Sequence, residues 1–197
     1  MLGAMTFESV SDALRRYEFE LDRIGFRNDF ADGLTTQQIR EIEAEAGFRL
    51  SQDVHAVWSW RGGTSIPTGQ PTTPASQIVP GGVFPDLSAA IWTGEGIANA
   101  AAELEQIPFD EKHFVSLCWF GQDPFFIDST DADAPDSPTL RTVWGEGIFT
   151  VPPLTVTERI EFWIDAVQTG VWYVDDAGRL EQNGSLMSEE QLLFLGR

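Results

Sequence analysis

Hydrophobic positions near the start of the chain fall at helical spacing. Phe7, Val10, Leu14, Tyr17, Leu21 and Ile24 recur at intervals of three and four, which predicts an amphipathic helix over 6–24 with one apolar stripe. A stripe of this kind docks on the parent core more often than on a partner helix. NDFADG (28–33) then breaks the pattern with turn formers. Thr35 and Gln38 make a capping-box pair ahead of Ile39, Ile42 and Ala46, and Gly47 tolerates the left-handed stop. Ser51 is placed to cap another helix, whose Val54, Val57 and Trp58 share a face and which Gly62 and Gly63 end.

The pattern loosens over 64–86, where five prolines mixed with Thr, Ser and Gly predict a loop with a short edge strand around Ile78–Phe84. Ile97, Ala100, Ala101 and Leu104 predict a further helix at 97–106. HFVSLCWF (113–120) carries the strongest strand signal. Strict alternation sends Val115, Leu117 and Trp119 one way and Phe114, Cys118 and Phe120 the other, so the strand is apolar on both faces and central to a sheet. GQDP turns the chain, FFID (125–128) returns beside it, and LRTVW and GIFTV are further strands. Thr155 and Glu158 form a second capping box before Ile160, Trp163, Ile164 and Val167, with Gly170 as the stop. VWYV, a DDAG turn and RLEQ predict a closing hairpin, and Ser188 a cap for a short last helix with Leu192, Leu193 and Leu195. Helices and strands do not alternate as βαβ units. The predicted class is therefore α+β, with a mainly antiparallel central sheet, helices packed against it and the N-terminal amphipathic helix added.

Composition gives this fold a core. Of the 197 residues 42% are apolar, including seven Trp and 14 Phe, ample for one domain. The single cysteine, Cys118, excludes an internal disulfide and a Cys-rich zinc site, and fits a reducing compartment. No apolar run approaches the ~20 residues that span a bilayer. No basic region followed by an apolar segment marks the N-terminus as a signal peptide, so the expected compartment is the cytoplasm. Net charge alters the functional picture most. Thirty-one acids face 12 bases, and residues 101–197 hold 18 acids and five bases. That field repels nucleic acid and anionic membranes and draws basic partners. Charge alone also fits simple solubility.

Candidate chemistry is sparse. His113 and Cys118, five apart on one strand, would lie on opposite faces and ~16 Å apart, so they make a poor nucleophile and base. Cys118 is better read as a core thiol. His55, mid-helix, is expected at the surface, and two histidines without HExxH do not make a catalytic zinc site. DSTDADAPDSP groups Asp128, Asp131, Asp133 and Asp136, but it lacks the turn glycine of an EF-hand and has Thr142 where the bidentate Glu belongs. A solvated, self-repelling acidic loop is expected in place of a metal site. No P-loop, GxSxG or GxGxxG is present, so neither a cofactor nor a catalytic residue is assigned. WTGEGI (92–97) and WGEGI (144–148) match too briefly to be a repeat; Trp92 and Trp144, beside glycines, are interface candidates.

The order of these features resembles the SUKH superfamily, which includes a yeast regulator of cell-wall synthesis and many bacterial immunity proteins. GLTTQQIREIEAEAGFRL and SQDVHAVWSWRGG look like its paired helices, and FVSLCWFGQDPFFIDST like its core hairpin, reaching an Asp (Asp128) at the end of the second strand. ERIEFWIDAVQTG looks like its closing helix. The link FRLSQD departs from the usual Leu-Pro. The resemblance covers about residues 33–170. Residues 1–32 then form an N-terminal helical extension, and 171–197 a hairpin and short helix packed on the same domain. It implies a cytoplasmic, non-catalytic binding protein, monomer or weak dimer, that neutralises a basic toxin domain, often a nuclease. Asp128, Asp131, Asp133, Asp136, Trp92 and Trp144 are the expected contacts. A regulatory or scaffold protein binding host proteins, and an enzyme using surface carboxylates, stay open beside it.

Overall fold

The structure, a computed structural model, describes residues 9–65, 73–103, 113–119, 125–143, 147–149 and 154–188. In chain order these form α1 (Val10–Arg23), β1 (Ala31–Asp32), α2 (Thr36–Ala46), α3 (Gln52–Trp60), β2 (Arg61–Gly63), β3 (Gln77–Val79), β4 (Gly82–Val83) and α4 (Leu87–Glu103). Next come β5 (Phe114–Cys118), β6 (Phe125–Asp128), β7 (Thr139–Val143), β8 (Gly147–Phe149), α5 (Val156–Gln168), β9 (Trp172–Val174) and β10 (Leu180–Gln182). A four-stranded antiparallel sheet runs in the order β5-β6-β7-β8, and β1–β2, β3–β4 and β9–β10 pair as small antiparallel units. The fold is α+β, as the sequence predicts.

Local chemistry sets most helix ends. Both capping boxes form: Thr35 accepts from the Gln38 amide and Thr155 from the Glu158 amide, with each glutamine or glutamate side chain returning to the cap backbone. Gly47 closes α2 at φ +81°. Ser51 stands at the N-cap of α3 but makes no side-chain cap; its hydroxyl donates instead to Asp53. The last predicted helix lies outside the described residues.

Val10, Leu14, Tyr17 and Leu21 of the α1 stripe are buried, Ile24 is half-buried and Phe7 lies outside the described residues; the helix packs on α5 and α3. Tyr17 and Trp163 approach to 5.5 Å between ring centroids, and Trp163 and Trp172 to 6.4 Å. Tyr17 donates its hydroxyl to the Ile78 carbonyl, satisfying the polar end of a buried ring. Burial, and secondarily the nearby Cys118, push the Tyr17 phenol well above its ordinary value. Trp172 and Leu180 bring the closing hairpin into the same core.

Four expectations need correction. The helix predicted at 97–106 is α4 and starts at Leu87, ten residues earlier, because Asp86 caps it through the Ala89 amide at 2.9 Å. Gly94 and Gly96 therefore lie inside a helix. Their low propensity is offset at Gly94 by packing: a Cβ there would lie 1.7 Å from the Phe114 carbonyl oxygen, so only glycine lets α4 cross β5 this closely. Gly62 and Gly63 do follow α3, but as strand β2 paired with β1. The segment around Ile78–Phe84 is a buried hairpin and not a lone edge strand; Val83 also exchanges backbone hydrogen bonds with Trp119 at 3.0 and 2.8 Å.

The fourth correction concerns β5. Its pairing with β6 shifts register between Ser116 and Cys118, a bulge that breaks strict alternation. Cys118 therefore joins Val115, Phe125 and Ile127 in the main core instead of siding with Phe114. Phe114, Phe126 and Leu140 form the other face, with Ile97 of α4 against them. Trp119, expected inside with Val115, is 43% exposed.

Candidate partner-binding surface

The acidic loop between β6 and β7 is built on a buried polar knot. Ser129 and Ser137 are fully buried, and Asp53, at the start of α3, is 1% exposed. The Ser51 amide donates to Ser129 Oγ at 2.7 Å, and the Ser137 amide donates to the Asp53 carboxylate at 2.5 Å. The Val54 amide and the Ser51 and Ser137 hydroxyls also donate to that carboxylate. Burial raises the Asp53 pKa, and these donors oppose the rise. The Gln52 amide adds a bond to the Ala134 carbonyl at 3.0 Å. The loop is thus tied to α3 across more than 75 residues of sequence.

The four aspartates of that loop differ in use. Asp136 is half-buried and accepts the Thr157 amide at 2.9 Å, in the first turn of α5, where a carboxylate is favoured by the unpaired amides. Asp128 is half-buried and accepts from the Thr130 amide and hydroxyl. Asp131 and Asp133 are exposed. Asp131 accepts the Asp133 amide at 3.0 Å, and Asp133 lies 3.7 Å from the exposed Arg49 guanidinium. The sequence predicts a solvated acidic loop; three of its four aspartates instead accept backbone amides, and two of those are half-buried.

The α2–α3 link runs beside this loop and is clamped in turn. Glu43 accepts the Leu50 amide at 2.7 Å and pairs with His55 at 3.0 Å, so His55 is half-buried and partnered, not a free surface residue. Burial works to raise the Glu43 carboxyl, but the Leu50 amide and His55 hold it below the usual glutamate range. Phe48 stacks on His113 at 4.0 Å between ring centroids.

Trp92 lies on α4 and is 75% exposed, more than any other large apolar side chain among the described residues. It lines a shallow groove of about 240 Å³ with Ile42, Glu45 and Ala46 of α2 and Ser88, Ile91 and Glu95 of α4. Glu45 and Glu95 are exposed, with no hydrogen-bond or ion-pair partner among the described residues. Trp144 lies outside the described residues. The sequence reading missed Glu45 and Glu95, although Leu87, Ala90, Ile91 and Gly94 at helical spacing would have put Trp92 and Glu95 on the outer side of a helix.

The interior holds the remaining reactive groups. Cys118 is fully buried, and burial pushes its thiol up to about 12, which keeps it protonated and unreactive near neutrality. Arg159, 2% exposed, donates to Thr139 Oγ1 at 3.3 and 3.2 Å and lies 4.6 Å from the centre of the Phe125 ring. Burial brings its guanidinium down to about 10. Arg141 is 7% exposed. Among the described residues, no cluster of His, Cys, Asp and Glu is placed to hold a metal, and no helix is long and apolar enough to cross a membrane.

Comparison with protein-family models and with curated proteins found no match for this chain.

Proposed function

We propose that the chain is a non-catalytic binding protein of the SUKH kind, acting in the cytoplasm, and that it neutralises a basic, nuclease-like toxin domain through its acidic surface. One observation carries this reading above simple solubility. Residues 101–197 hold only five bases against 18 acids, and two of the five, Arg141 and Arg159, are buried. A third, Arg179, is bound to Asp175, its guanidinium 2.6 Å from the carboxylate. Among the described residues of that half, every base is thus buried or paired, so a basic partner meets little competition there from the protein's own cations. Support for the family comes from the segments that resemble it, which form two helices, the first with a capping box, an antiparallel strand pair reaching Asp128 and a closing helix.

Capture from the producing cells, followed by mass spectrometry, should recover one dominant basic protein. Its association rate should exceed the ~10⁵–10⁶ M⁻¹s⁻¹ of neutral docking. That rate should fall steeply with salt, as the screening length shrinks to ~3 Å at 1 M. An association rate that ignores salt, or turnover of a small substrate by the isolated chain, would count against the proposal.

A further inference from the structure

We infer that the groove between α2 and α4 is a binding site for an arginine side chain presented by a protein partner, with Trp92 as its platform and Glu45 and Glu95 as its counter-charges. This rests on the reading of the chain as a binder of basic proteins, and it names where one such contact is made. Three features of the groove point to the occupant.

The first is its wall. Ile42, Ala46 and Ile91 offer apolar surface, and Trp92 offers an indole that is 75% exposed. A lone exposed Trp is ordinary, but this one borders a concavity with partly uncovered aliphatic groups beside it. The methylene stem of a long basic side chain can lie against such a wall while its charged end stays at the rim.

The second is charge. Glu95 stands three residues after Trp92 on α4, hence next to it on the helix surface, and Glu45 faces it from α2. Neither carboxylate is engaged by another described residue, and no base lines the groove. A second copy of this chain is disfavoured as occupant, because it would bring the same two glutamates, and a net charge of −19, against these. Guanidinium fits better than ammonium here: it is planar, weakly hydrated and stacks on an indole face.

The third is size. At about 240 Å³ the groove is smaller than the ~300 Å³ at which pockets for drug-sized ligands begin, and so suits one side chain.

The test uses the full chain and a defined probe. The peptide acetyl-Gly-Arg-Leu-Arg-Gly-amide would be titrated while the Trp92 indole N–H resonance, assigned with Trp92→Phe, is followed by NMR. Saturable movement of that resonance is expected. The lysine peptide should bind about threefold more weakly, because the ammonium is more strongly hydrated and has no flat face to stack on the indole. The citrulline peptide, which keeps the shape and loses the charge, should move the resonance little. Glu45→Gln with Glu95→Gln should weaken the arginine peptide about fivefold, whereas Asp22→Asn with Asp176→Asn, exposed acids that do not line the groove, should leave it within about twofold.

Equal affinity for the arginine and lysine peptides, or indifference to the Glu45 and Glu95 changes, would overturn the site and leave only diffuse attraction. A resonance that moves with protein concentration alone would overturn it in favour of self-association. The two readings fail separately. A basic partner captured equally well by wild type and Trp92→Ala sinks the groove and spares the binding function. Failure to capture any basic protein sinks the binding function, while the peptide titration still decides whether the groove takes arginine.

Discussion

Helices α5 and α4 each carry a tryptophan and each pack on the central sheet, yet they use their surfaces in opposite ways. The α5 helix lies between α1 and the sheet, and seven of its residues are buried, Arg159 among them. Trp163 touches Tyr17 on one side and Trp172 on the other. Gln168 adds a hydrogen bond to Glu20 of α1 at 2.8 Å. By contrast, α4 packs on β5, touches α2 and leaves part of its surface open. Leu87, Ala90 and Gly94 point inward, while Trp92 and Glu95 meet solvent beside α2. A helix with neighbours on two sides has little surface left for a partner. One that leaves a face to solvent can hold the fold and bind a partner as well.

The largest expected effect separates the two tryptophans. Trp163→Ala should destabilise the protein by about 3–5 kcal/mol, the usual consequence of emptying a buried aromatic site. Trp92→Ala should change stability by no more than about 0.5 kcal/mol, as surface positions do. Urea unfolding of both variants would decide it. A loss above about 2 kcal/mol at Trp92 would mean that the outer face of α4 belongs to the core after all.

A second pair probes α4 itself. Gly94→Ala should cost about 1–3 kcal/mol, because the added methyl meets the Phe114 carbonyl and the helix must lift from β5. Gly96→Ala meets nothing within 4 Å and should stabilise by roughly 0.5–1 kcal/mol through helix propensity alone. Thermal melts that show the same sign for both would break the assignment of inner and outer faces.

Smaller effects are expected at the helix starts. Thr155→Ala on α5 and Asp86→Ala on α4 should each lose about 1 kcal/mol, since each side chain accepts an amide of the first turn. Similar losses would show that the helices differ in packing and not in local strength. Hydrogen exchange of the Ala89 and Glu158 amides would give the same comparison residue by residue.

The least of the effects is a pH dependence on the α5 side. Hydrogen bonds from Gln168 and then Arg23 hold the Glu20 carboxyl below its ordinary value of 4.5. The folded state therefore binds a proton there less readily than the unfolded chain does. Its stabilisation is fully present above 4.5 and is lost as the pH falls through the lowered folded value. Glu20→Gln should flatten that part of the acid limb in urea midpoints taken from neutral pH down to pH ~3. An unchanged slope would remove Glu20 from the α1–α5 contact.

What the chain determined by itself was local. The Thr35–Gln38 and Thr155–Glu158 boxes, the Gly47 stop and the α1 stripe rest on residues a few positions apart, and FFID pairs with the strand just before it. Nearest-neighbour chemistry sets those features before any core exists. Tertiary structure decided the rest, because the deciding atoms are remote in sequence. Gly94 reads as a helix breaker until the Phe114 carbonyl is found against it, and that contact joins positions 20 residues apart. The bulge that turns Cys118 into the main core exists only in the register with β6. Asp53 and Asp136 look like any other surface acids, yet the first is buried by Ser137 and the second is engaged by the Thr157 amide. The groove at Trp92 is the plainest case. Its two carboxylates lie 50 residues apart, on helices whose contact no periodicity records, so their shared site arises only when α2 and α4 pack.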